Sequence, residues 1–368
     1  MDDFEELVEK LKEEDRVDEV IDLCTREIID NPKNAQAYYE KAYAEHYIEQ
    51  QTLALIDVNK SIEISPNELN LTLKGFILWK LDDKKGAIRL FTQALEYDKE
   101  FLLALGGRCD CYYFEQDYEK ALQEANYILS IYPNQAKALS VISNVECKYG
   151  NYDIALETIK KAVESEPEDP YFHWELGNVY SLKNEFDNAI LEFNKAIELD
   201  NQFPDAYWSI GKIYAYRQQF QEAIEYYNKA IELYPHGVQS EYHANRAVAY
   251  QTIGNIEQAM NDINKAIELN CNNYYCYLWR AAIKKDLQDF EGAIKDCEYK
   301  IKHEPNDIYG YTGIADILCT MKKYNKALKY INKGLKIAPK EEILLDFKNK
   351  IQQNTFVGKI KSFFNKNN

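Results

Sequence analysis

The stretch "EFDNAILEFNKAIELD" occupies Glu185–Asp200, and a near copy, "QFQEAIEYYNKAIELY", occupies Gln219–Tyr234, 34 residues further on. The alanine of this motif recurs at Ala54, Ala87, Ala121, Ala155, Ala189, Ala223, Ala259, Ala293 and Ala327, at intervals of 33 to 36 residues, and Val20 fits one interval earlier. Ten repeats result: 1–34, 35–67, 68–101, 102–135, 136–169, 170–203, 204–239, 240–273, 274–307 and 308–341. All nine prolines fall at repeat boundaries, where a residue that cannot continue a helix interior marks a break. The longest interval, 36, falls at "HGVQ", so an irregular join is expected there. A unit this short cannot bury an apolar face alone. Stacked copies can, and such a chain grows by addition instead of forming separate globular domains.

Inside each repeat the apolar spacing is helical. The sixth reads Trp174, Leu176, Gly177, Tyr180, then Phe186, Ala189, Ile190, Phe193, Ala196, Ile197. Steps of three and four place these on one face of each of two helices, with "KNEFD" as the turn. The eighth position is small in nine of the ten repeats: Ala42, Gly75, Cys109, Ser143, Gly177, Gly211, Ala247, Ala281 and Ala315. Small residues there let paired helices approach closely.

This order of residues resembles the tetratricopeptide repeat. The seventh repeat carries it as Tyr207, Ile210, Gly211, Tyr214, Ala223, Tyr227, Ala230 and Pro235. Repeats one, two, five and nine depart most; the first has Val20, Cys24 and Glu27 where the family prefers Ala, Phe and Ala. The resemblance implies an all-α fold, a right-handed α-solenoid of tandem helix-turn-helix units over 1–341. The pentatricopeptide repeat has a similar period but binds RNA, which a strongly acidic chain suits badly.

The formal net charge is −17, so nucleic acid is not an expected partner, its affinity coming largely from neutralised phosphates. Charge is uneven: residues 1–34 carry thirteen acids against five bases, and residues 322–368 twelve lysines against three acids. Eight scattered cysteines without a Cys-x-x-Cys pair, and only five histidines, predict reduced buried thiols and no metal site. The acidic start is no signal peptide, and no apolar run is long enough for a membrane span. A cytoplasmic protein is expected. No phosphate loop, His-Glu-x-x-His or Gly-x-Ser-x-Gly occurs, so neither catalysis nor a cofactor is expected.

In the family the first helix of each repeat lines a concave face. Its second, fifth, ninth and twelfth positions share one side by spacing. They supply Tyr39, Tyr43 and His46; Phe76 and Trp79; Asp110 and Tyr113; Lys137 and Asn144; Tyr171, Trp174 and Asn178; Trp208 and Lys212; Glu241 and Gln251; Tyr275 and Lys285. Aromatic rings with a few polar donors suit an extended peptide, with Trp174, Asn178 and Trp208 as expected central anchors and Trp79 and Tyr113 as an extension. Packing between helices is the alternative role of these rings. The carboxylate clamp of co-chaperone members is not carried over. Asn245 stands where its middle Asn belongs, but Trp208 and Lys212 replace its Lys and Asn, and Tyr275 and Trp279 its Lys and Arg.

Beyond Pro339, the spacing of Ile343, Phe347 and Ile351 predicts a helix that caps the last repeat. Phe356, Ile360, Phe363 and Phe364 with Lys359, Lys361 and Lys366 then form a short basic amphipathic segment, and residues 342–368 read as cap and tail. The expected function is a non-catalytic protein–protein interaction scaffold. The alternatives are a membrane-peripheral assembly factor that uses the tail, or a regulatory protein with an unrecognised catalytic site.

Overall fold

The computed structural model describes residues 4–234, 240–270 and 272–364, with side chains described as far as residue 353. Among these residues there are twenty-one helices and no strand. They are α1 (Phe4–Glu13), α2 (Val17–Asp30), α3 (Ala35–Tyr47), α4 (Gln51–Ile64), α5 (Glu68–Lys80), α6 (Lys84–Tyr97) and α7 (Leu102–Phe114). Next come α8 (Tyr118–Ile131), α9 (Ala136–Tyr149), α10 (Tyr152–Ser165), α11 (Pro170–Leu182), α12 (Phe186–Leu199), α13 (Pro204–Tyr216) and α14 (Phe220–Leu233). The last are α15 (Ser240–Thr252), α16 (Ile256–Leu269), α17 (Tyr275–Asp286), α18 (Phe290–His303), α19 (Tyr309–Thr320), α20 (Tyr324–Ile337) and α21 (Glu342–Phe364). The chain divides into an N-terminal body, Met1–Glu192, and a C-terminal body, Phe193–Asn368. Within each, consecutive helices pack as antiparallel neighbours, and each pair packs on the next. This is an all-α array of helix hairpins. The expected irregular join at "HGVQ" lies outside the described residues.

The hairpin turn has one recurrent device. Each turn between a first and second helix holds one residue in the left-handed region: Asp15, Glu49, Asp82, Gln116, Gly150, Asn184, Gln218, Gly254, Gln288 and Lys322. That conformation reverses the chain and satisfies the helix-end carbonyls. Gly150 N donates to Cys147 O at 3.1 Å and Asn151 N to Glu146 O at 2.9 Å. Only two of the ten are glycine, so the other eight hold a conformation that costs an L-residue on the order of 1 kcal/mol. The boundary between repeats uses proline, which opens α11 (Pro170) and α13 (Pro204) and lies between helices at Pro32, Pro66, Pro133, Pro167, Pro305 and Pro339.

Close packing rests on an aromatic ring held against glycine. In the N-terminal body the fully buried Phe91 of α6 fits between Gly75 of α5 and Gly107 of α7; a Cβ on either glycine would lie 2.6 Å from its ring. In the C-terminal body a Cβ on Gly211 would meet the buried Tyr227 ring at the same 2.6 Å. The small residue makes room for a ring of the second helix, and the ring ties hairpins together. At the far end α21 lays Leu344, Phe347 and Ile351 on the last hairpin, with Leu344 fully buried in the space left by Gly334. Ile343 lies at the edge of this face, 57% exposed and lining a hollow with Phe347, Leu278 and Thr312, while Leu344 takes the fully buried place. The helical backbone continues to Phe364. The side chains of the basic amphipathic segment lie outside the described residues.

Gly211→Ala should therefore cost about 1–3 kcal/mol in urea unfolding, by overpacking. Gly150→Ala has nothing within 4 Å of the new Cβ and φ at +79°, so it should cost about 1 kcal/mol through backbone strain alone. The Gly211 penalty should shrink once Tyr227 is shortened to Leu. Equal penalties in both backgrounds would contradict the account.

Candidate interaction face

Positions two, five, nine and twelve of the first helices come together along one face, most fully in the N-terminal body. One hollow of about 290 Å³ between α3, α5 and α7 is lined by Tyr39, Tyr43, His46 and Phe76, with Tyr47, Leu69 and Leu103. Tyr43 is exposed, Tyr39 half-buried, and their ring centroids lie 6.4 Å apart. His46 Nδ1 is 2.6 Å from Gln51 Oε1, which fixes the imidazole at the hairpin turn.

A second hollow of about 410 Å³ brings together Trp79, Asp110, Tyr113, Lys137, Asn144 and Tyr171 from four successive repeats. Phe114, Ser140, Val141, Asp169 and Phe172 complete its wall. Trp79 packs on Phe114 (5.9 Å between centroids) and Tyr113 on Phe114 edge-to-face (5.4 Å). Tyr171, 42% exposed, leans on Trp174 at 5.7 Å. The hollow's polar groups differ in how they are compensated. Asp110 is buried, which pushes its carboxyl up, but Lys137 Nζ lies 2.8 Å away and opposes the shift. Glu175 lies beside the hollow and forms no ion pair among the described residues. Burial pushes its carboxyl up, against the hydrogen-bonding influence of Ser140, Asn144 and Tyr171. Its Oε1 accepts from Asn144 Nδ2 at 2.6 Å, whereas Oε2 is buried without a well-formed hydrogen bond.

Four helical positions do not capture this site fully. Phe114 and Glu175 lie at the thirteenth and sixth positions of their repeats. Glu175 follows Tyr171 by four residues, so the i, i+4 rule alone would have placed the two on one side.

In the C-terminal body lysines cover two of the rings at the same positions. Lys212 Nζ sits 3.7 Å over the Trp208 ring, which also packs on Tyr242 at 5.5 Å. Protein crowds around Lys212 although it keeps solvent contact, and this desolvation holds its pKa down at about 8, against a weaker opposing pull from Asp205. The Tyr242 hydroxyl donates to Asp205 Oδ1 at 2.7 Å. Tyr275 donates to Asp307 at 3.0 Å and carries Lys300 3.9 Å above its ring. Gln251 donates to Asp286, and Lys285 pairs with Asp316, each at 2.6 Å. Asn178 and Asn245 are half-buried on α11 and α15.

Behind the face, ion pairs sixteen residues apart tie the two helices of a hairpin: Lys41 to Asp57, Arg108 to Glu124, Arg246 to Asp262 and Arg280 to Asp296. Arg108, Arg246 and Arg280 also reach the preceding hairpin, at Thr92, Asn228 and Asn264. These charges are structural. Burial works against ionised Asp262, but Arg246 and His243 outweigh it and hold the carboxyl below the usual range. Among the described residues no group of three or more His, Cys, Asp or Glu could hold a metal, and no helix is long and apolar enough to cross a membrane.

Comparison with known proteins agrees with this architecture. Family models described as "Tetratricopeptide repeat" match residues 73–136, 203–271 and 308–341, and one described as "TPR repeat" matches 177–216. With helix pairs repeating at this period, the chain belongs to the tetratricopeptide repeat family, whose members act in protein interaction. A TPR repeat-containing protein of Methanocaldococcus jannaschii is 32% identical over 104 residues, 28% of this chain and 18% of that protein. The Hsp70-Hsp90 organizing protein of Triticum aestivum is 25% identical over 290 residues, 74% of this chain and 41% of its own. The chain thus spans less than half the length of these relatives. A solved structure of Pseudomonas aeruginosa pilF, 17% identical, shares the fold with a TM-score of 0.50 over 58% of this chain and 97% of its own.

The depressed Asp262 carboxyl makes a pH prediction. Its ionised form contributes stability above the unfolded carboxylate pKa, and this is lost as pH falls through the lower folded value. Asp262→Asn should cost roughly 2 kcal/mol at pH 7 in urea unfolding. The difference from wild type should fade in acid; a difference independent of pH would contradict the assignment.

Proposed function

We propose that the protein is a non-catalytic interaction scaffold that holds an extended peptide along the first-helix face, with the hollow beside Trp79, Tyr113 and Tyr171 as its main seat. The observation that carries this reading is that six predicted positions from four successive repeats line one cavity of about 410 Å³. Rings give contact area at low entropic cost, and Asn144 and Ser140 offer hydrogen-bonding groups for a peptide backbone. The hollow by Tyr43 and Phe76 extends the same face.

The partner is a protein or peptide, not nucleic acid, since the chain carries a net charge of −17. The name of the Triticum aestivum relative concerns organising Hsp70 and Hsp90. A carboxylate-clamp version of that role is poorly supported here. Where the clamp needs free Lys and Arg, Tyr275 is engaged with Asp307 and Lys300. The described cysteines are unpaired, and burial raises the pKa of each. Inert buried thiols suit a reducing, cytoplasmic setting.

Trp79→Ala combined with Tyr113→Ala should weaken a captured partner by about 2 kcal/mol or more, roughly thirtyfold, by calorimetry. Circular dichroism should report an intact fold. Unchanged affinity would remove the peptide from this face.

A further inference from the structure

We propose that the hollow between α7, α9 and α11 selects a cationic side chain, Arg or Lys, of the bound peptide, with Trp79, Tyr113 and Tyr171 flanking the alkyl stem and Glu175 receiving the charge. This rests on the peptide-face reading and names what that face prefers.

Three observations converge. First, the walls are rings: Trp79 and Phe114 on one side, Tyr113 and the exposed Tyr171 on others, surrounding about 410 Å³. Ring faces attract a cation, and flat rings also cover the methylene stem of Arg or Lys. Second, the acids exceed the bases. Asp110 is matched by Lys137 at 2.8 Å, whereas Glu175 forms no ion pair among the described residues. Third, Glu175 is only 4% exposed and has an oxygen, Oε2, with no well-formed hydrogen bond. Its Oε1 is bonded to Asn144, and both Asn144 and Tyr171 line the cavity, so the carboxyl lies directly behind the wall.

A buried carboxyl without a cation is a standing cost, which an incoming ammonium or guanidinium would remove. Guanidinium, planar and weakly hydrated, fits both rings and carboxylate and should bind at least as well as ammonium. An acidic side chain would meet Asp110 and Glu175 instead and be rejected. The overall negative charge of the chain adds long-range attraction for a basic peptide, screened by salt.

The test uses fluorescein-labelled decapeptide libraries, random at nine positions and fixed at one central position as Arg, Lys, citrulline or Glu. Anisotropy is read against the full chain. The Arg and Lys libraries should bind at least tenfold tighter than the citrulline library, the neutral near-isostere of Arg, and the Glu library weakest. Glu175→Gln should reduce the Arg-to-citrulline ratio to within about threefold while citrulline binding persists. Should Glu175→Gln not fold, Lys137→Gln gives an independent reading. Lys137 is an exposed side chain, and its removal frees Asp110, so affinity for the Arg library should rise severalfold. Equal binding of all four libraries, lost with Trp79→Ala, would overturn the cation preference and leave the peptide face standing. Tightest binding of the Glu library, or an Arg preference unmoved by Glu175→Gln, would also overturn it. Binding of no library would overturn the peptide face as well.

Discussion

The contact on which the architecture depends is the one between a ring of a second helix and the small residues of the first helices around it. Phe91 fills the space between Gly75 and Gly107, and a single methyl on either glycine would collide with its ring at 2.6 Å. The contact sets both the spacing inside a hairpin and the spacing to the next. The chain must therefore repeat its small residues in phase opposite a buried apolar side chain of the second helix: a ring at Phe91, Phe193 and Tyr227, an isoleucine at Ile159, Ile263 and Ile331. Ion pairs such as Arg280 to Asp296, with a further bond to Asn264, reinforce the same junction from its polar side.

Once hairpin spacing is fixed, the first helices stand side by side and residues four apart along each share a common side. The face is thus a by-product of the packing rule. Its two bodies use it differently. In the C-terminal body Lys212 lies over Trp208 and Lys300 over Tyr275, so one side of each ring is covered by a cation, although Tyr275 stays exposed. In the N-terminal body Lys12 stands 5.2 Å from the Tyr43 ring, but Tyr171 is exposed, and the Glu175 beside it forms no ion pair among the described residues. The difference lies in single residues: a Lys one turn beyond Trp208 closes over its ring, while Asn178 occupies the corresponding place after Trp174.

The fold was legible because its determinants are local and periodic. Val20 and Cys24 are buried in the first repeat even though they depart from the family pattern, since position in the period matters more than residue type. Counting along helices reaches Trp79, Asp110, Tyr113, Asn144 and Tyr171, which share a cavity, whereas the expected central anchors Trp174, Asn178 and Trp208 do not line it. Counting could not tell which charges are compensated. Whether Asp110 has a cation depends on Lys137, twenty-seven residues later in the next repeat, and Glu175 differs only by lacking one. On the final helix the row Ile343, Phe347, Ile351 borders the last hairpin, but the most buried contact is the neighbouring Leu344. Periodicity fixes a stripe, but its edge depends on the hole left by Gly334.

The account's central claim is the location of the bound peptide, and site-specific photocrosslinking reports location directly. Benzoylphenylalanine would replace Tyr113, in the hollow, or Tyr127, exposed on the neighbouring second helix α8. Each protein would be irradiated with a biotinylated, arginine-centred decapeptide library and the adducts counted by mass spectrometry. The account predicts abundant adducts from position 113 and few from 127. Equal yields, or a preference for 127, would place the peptide elsewhere and contradict it.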